Sequence, residues 1–103
     1  MILRRRFAGV IDAQLGLFES EEAELIADCE RAERAYDDAP REEAEERYGD
    51  YLDLVETGTE ILADLRDHYV STLDEDGAEE YVSAFNRAVA KRLPRFALEI
   101  ENR

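Results

Sequence analysis

The sequence predicts an all-α fold: a long antiparallel helical hairpin plus a shorter third helix, completed into a bundle by dimerisation. Two apolar stripes of nearly equal length carry the prediction. Phe7, Ile11, Gln14, Phe18, Glu22, Leu25, Cys29, Ala32 and Tyr36 follow one another at intervals of three and four. So do Ala44, Tyr48, Tyr51, Val55, Gly58, Leu62, Leu65, Tyr69 and Thr72, the spacing that lines up side chains on one helical face. Between them stands Asp37-Asp38-Ala39-Pro40, a turn signal with proline where a helix can begin without an N–H. Folded back at this turn, the stripes pair Tyr36 with residue 43 or 44 and Phe7 with residue 72 or 73, and they meet along their whole length.

The first arm covers residues 2–37 and, at ~1.5 Å per residue, is about 45 Å or more long. Gly16 and Ser20-Glu21-Glu22 offer an internal break, since serine followed by acids is a good helix start. The stripe keeps its phase across them, so the arm is expected as one helix, bent at most. The second arm covers residues 40–73. Gly58 weakens its middle by ~1 kcal/mol relative to alanine and is expected opposite Glu22, in a polar layer that fixes the register.

Asp74-Glu75-Asp76-Gly77 ends the second arm, and Asp76 with Glu79 has the spacing of a capping box for a third helix over 77–93. Pro94 stops it, at a cost of ~3 kcal/mol were the helix to continue unbroken. Residues 94–103, with Phe96, Leu98 and Ile100, are expected as a kinked helical tail, because a lone strand has no partner in an all-helical domain. The whole chain, 1–103, reads as a single domain.

Composition narrows the function. The 103 residues carry 27 acids and 13 bases, a formal charge of -14, which argues against binding a phosphate backbone and for a protein partner with a basic surface. Lys91 is the only lysine. The single cysteine, Cys29, allows no intrachain disulfide and no cysteine-rich zinc pattern, and a reducing cytoplasmic location fits it. Arg4-Arg5-Arg6 opens the chain like an export signal, but Asp12 and Gln14 interrupt the apolar run and no cleavage site follows. No membrane span is expected, and no cofactor.

The third helix is too short to cover the hairpin. Its 24 or so residues, tail included, reach roughly the level of Ser20 and Glu60 at ~1.5 Å per residue. The far half then keeps Leu25, Ile26, Cys29, Tyr36, Tyr48, Tyr51, Leu52, Leu54 and Val55, more apolar surface than a two-helix seam buries. Such patches mark interfaces. Leu25, Ile26, Cys29, Tyr36, Tyr48, Tyr51, Leu52 and Val55 are therefore the candidate interface of a homodimer, two far halves pairing into a four-helix bundle.

Other features are weighed against this reading. Arg87, Lys91, Arg92 and Arg95 are expected to neutralise Glu19, Glu21, Glu22, Glu56 and Glu60, and Arg4, Arg5 and Arg6 the acids from Asp74 to Glu80. Glu60, Asp64 and His68 form an i, i+4, i+8 ladder, with Asp12 expected across from His68. These four are the candidate ligands of a metal-binding bundle, although no Glu-x-x-His pair of the di-iron type occurs. The expected function is a non-enzymatic module for helical self-association and protein interaction, as adaptor or regulator. The alternative is an acidic decoy that uses Asp37, Asp38, Glu42, Glu43, Glu45 and Glu46 at the hairpin tip to block a basic, nucleic-acid-binding surface.

Overall fold

The computed structural model describes residues 6–103; Arg4, Arg5 and the first residues of the expected first helix lie outside them. The described residues are helical almost throughout: α1 (Ala8–Glu21), α2 (Ala23–Asp37), α3 (Ala44–Val70), α4 (Glu75–Arg92) and α5 (Ala97–Glu101), with 3-10 turns at Arg41–Glu43 and Pro94–Phe96. The long axis measures 51 Å against 24 Å in both other directions, and the radius of gyration is 15.6 Å. A compact chain of this length has about 13 Å. The molecule is a rod.

The first arm is two helices, not one. Glu22 leaves helical geometry at φ -110°, ψ 29°, yet its N–H still donates to Phe18 O (2.8 Å) and its carbonyl accepts from Ile26 N (3.0 Å). The ladder survives with a bend. The bend separates two packing tasks: α1 lies against α4, whereas α2 lies along the first half of α3. It also breaks the single register expected from the stripes. Tyr36 stacks on Tyr48, with ring centroids 5.1 Å apart, about one helical turn beyond its expected partner. Gly58 faces the ring of Phe96 rather than Glu22.

The ends of α3 and α4 follow from their capping chemistry. Pro40 holds an extended ψ of 156° and leads into the 3-10 turn, so that α3 starts at Ala44. At the other end the Ser71 and Thr72 hydroxyls donate to the carbonyls of His68 and Tyr69, which takes up acceptors the last turn leaves open. Asp74, not Asp76, caps α4: its backbone is extended and its carboxylate accepts from Gly77 N at 2.7 Å. Three residues after the cap, the buried face of α4 begins at Gly77, and Tyr81, Phe85 and Val89 are fully buried.

The tail is helical, but it reverses direction instead of extending α4. Leu93 breaks out of the helix at φ -132°, ψ 61° ahead of Pro94, and α5 returns between α3 and α4. Phe96 and Ile100 are buried. The buried Arg66 fastens the return: its Nη1 donates to Ile100 O and to Asn86 Oδ1, both at 3.1 Å, and its Nε donates to Asp67 Oδ1 at 2.9 Å. All three elements around the tail are thereby joined through one guanidinium.

The core at this end is aromatic. Phe7 sits edge-on to Tyr69 and Tyr81, Tyr69 and Tyr81 are 4.8 Å apart, and Tyr81 continues to Phe85 at 5.8 Å. Such pairs add ~0.5–1.5 kcal/mol each beyond burial. The Tyr81 hydroxyl donates to Gln14 Oε1 at 2.8 Å, so this polar residue of the first stripe has a structural task.

Candidate functional site

The rod has two unlike halves. From Phe7 to Phe18, α1, α3, α4 and α5 enclose a core; past Phe96, among the described residues, α2 and α3 are packed on each other alone. Arg95 marks the border. Its Nε donates to the Tyr51 hydroxyl at 3.2 Å, its Nη2 to Glu33 at 2.7 Å, and its guanidinium lies 5.8 Å from the Tyr51 ring centroid. The side chain thus ties the tail to both helices of the two-helix end, beside an open cleft of about 520 Å³ between Ile26, Glu30, Tyr51 and Leu93.

The eight candidate interface residues divide by depth. Cys29 and Val55 are buried in their own chain, where they have no surface to offer a second one. Burial pushes the Cys29 thiol above its ordinary pKa, so the side chain behaves as a small apolar filler. Leu25, Ile26 and Tyr51 are half-buried. Tyr36 (38%), Tyr48 (45%) and Leu52 (42%) stand exposed. Tyr48 and Leu52 are one turn apart on α3, and Tyr36 stacks on Tyr48, so the three make one patch. Tyr48 and Tyr51 rings, 6.4 Å apart, extend it toward Arg95.

Acids surround this patch. Asp37, Asp38, Glu42, Glu43, Glu45 and Glu46 are all exposed around the tip. Residues 23–54 hold twelve acids against four arginines. Two of those arginines pair within their own helices, Arg31 with Asp28 and Arg47 with Glu43 (3.5 Å) and Asp50 (3.7 Å). The end is apolar at its centre and strongly negative at its rim.

A second surface lies between α1 and α4. Ile11, Leu15, Ala84 and Ala88 line a groove of about 320 Å³ edged by Arg87, Lys91 and Arg92. Arg92 is committed to Asp12 (2.8 Å) and Glu19 (2.7 Å). Arg87 donates to the Ser83 hydroxyl at 2.7 Å, and among the described residues neither it nor Lys91 forms an ion pair. Only Arg92, of the cations expected to neutralise Glu19 and its neighbours, does so. At the far end Arg6 reaches Glu80 at 3.5 Å. The charge neutralisation expected of Arg87 and Lys91 is not found among the described residues, and the tail carries Arg95 to Glu33 instead.

The candidate metal ligands are not assembled. Asp12 is held by Arg92, while Glu60, Asp64 and His68 remain exposed along α3. Among the described residues no three metal-ligating side chains converge, and no helix is long and apolar enough to cross a membrane. Compared with protein-family models, curated proteins and solved structures, the chain gives no match.

Proposed function

We propose that the protein is a non-enzymatic module for self-association and protein interaction, adaptor or regulatory in kind, and that its working surface is the two-helix end. The observation that supports this reading is the contiguous exposure of Tyr36, Tyr48 and Leu52 where, among the described residues, no third helix covers α2 and α3. Tyrosine at such a place contributes rigid contact area with a polar tip, the composition favoured at binding hot spots. The acidic rim keeps wrong partners out and sets which surface can approach.

Contact of this end with a second copy of the chain buries the patch; two-fold pairing of two ends, which would close a four-helix bundle, is one way to make that contact. Light scattering on the wild type and on a Tyr48→Glu, Leu52→Glu double variant tests the surface. The reading predicts a wild-type mass above one chain at micromolar concentration and a one-chain mass for the variant. Equal masses for the two proteins contradict it.

A further inference from the structure

We infer that the two-helix end docks head-to-tail into the groove between α1 and α4 of a second copy of this chain. This deepens the preceding reading and rests on it, since it names the surface that receives the end.

The argument is one of complementarity in shape and charge. The groove has an apolar floor, Ile11, Leu15, Ala84 and Ala88, and the two alanines leave a depression open to an incoming ring. Its edge carries Arg87 and Lys91, one turn apart on α4, without an acidic partner among the described residues. Arg34 and Arg41 also form no ion pair among the described residues, but Arg87 and Lys91 differ in standing side by side along an apolar groove, where an acidic surface from outside can reach both. Both nearby carboxylates, Asp12 and Glu19, are already engaged by Arg92. The two-helix end supplies what is absent: exposed tyrosine rings and a leucine for the floor, and Glu42, Glu45 and Glu46 for the cations.

Symmetric pairing of two ends lacks this match. It sets twelve acids and four arginines against the same set, and like charges in apposition oppose association. Docking end into groove uses different patches on the two copies, so each copy keeps one free end and one free groove and association continues beyond two chains. Opposite-charge docking also weakens with added salt, whereas pairing of like-charged ends strengthens as the repulsion is screened.

The test combines two variants that touch only exposed side chains: a groove variant, Arg87→Glu with Lys91→Glu, and an end variant, Tyr48→Glu with Leu52→Glu. Circular dichroism and thermal melting verify that both fold. Each variant alone is expected to run as one chain, because one of the two docking surfaces is lost. Mixed in equal amounts, they are expected to form a 1:1 dimer that grows no further, since the intact end of one meets the intact groove of the other. The wild type is expected to exceed two chains as concentration rises and to lose at least ten-fold in affinity between 0.05 and 0.5 M salt, on the order of what screening removes from several charge pairs. A groove variant that associates like the wild type, with no rescue on mixing, overturns the head-to-tail docking and leaves the two-helix end standing as a symmetric interface. A wild type that stays one chain under every condition overturns both. If the groove variant unfolds, Arg87→Gln with Lys91→Gln replaces it, if the end variant unfolds, Tyr48→Ser with Leu52→Ser replaces it, and the salt dependence of the wild type decides the sign independently.

Discussion

Phe96 occupies the space that a side chain at Gly58 would fill. A methyl group built on Gly58 would collide with Cε1 of the Phe96 ring and lie 2.9 Å from Cζ. The ring itself is fixed, edge-on to Phe18 at 5.7 Å and almost wholly buried. The glycine that weakens the middle of α3 is therefore the seat of the returning tail.

Gly58→Ala is expected to destabilise the protein by about 1–3 kcal/mol, because overpacking outweighs the gain of ~1 kcal/mol in helix propensity. Gly49→Ala, with nothing within 4 Å of the new methyl, is expected to stabilise by ~0.5–1 kcal/mol. Urea unfolding of the pair checks the opposite signs, and two changes of the same sign would contradict the assigned role of Phe96.

Arg66→Met should cost about 2–4 kcal/mol, since it leaves Ile100 O and Asn86 without their buried donor. The same change should raise protease cleavage after residue 93, where the tail is held through that guanidinium. Unchanged stability together with unchanged cleavage would show that α5 is held by apolar contacts alone.

Burial pushes the Tyr81 phenol up to about 12, only partly offset by its bond to Gln14. An unfolded tyrosine titrates near 10, so between those values the unfolded chain has lost a proton that the folded chain keeps. Stability is then independent of this group below pH ~10 and falls as pH rises toward 12, by on the order of 2 kcal/mol. Ultraviolet titration should show at least one tyrosine ionising about two units late, and Tyr81→Phe should abolish that late step.

Cys29 is expected to resist thiol reagents in the folded state, being fully buried with its pKa raised by that burial. Labelling should proceed no faster than the chain opens locally. Immediate stoichiometric labelling of native protein would show that α2 and α3 separate readily at this level.

Much of the helical content was legible because stripes such as Ile11, Phe18 and Cys29, or Val55 and Leu62, repeat at helical spacing whatever they pack against. The register was not. Period alone reveals neither that α1 and α2 serve different neighbours nor the bend at Glu22 that separates them. Likewise Pro94 announces the end of α4, while the reversal after it depends on Phe96 finding Gly58 and on Arg66 finding Ile100 O, both contacts remote in sequence. The exposure of Tyr36, Tyr48 and Leu52 follows from counting helical residues. The burial of Cys29 and Val55 follows from the stripes as well, since both stand at seam positions. The pairing of Arg92 with Asp12, one of the candidate metal ligands, depends on the position of α4 across α1.

Sedimentation equilibrium of the wild-type chain across the micromolar range, beside the Tyr48→Glu, Leu52→Glu variant, addresses the central claim most directly. A mass that rises above 11.8 kDa for the wild type and stays at 11.8 kDa for the folded variant is the predicted result. A wild type holding one-chain mass over the whole range would contradict the assignment of the two-helix end as an association surface.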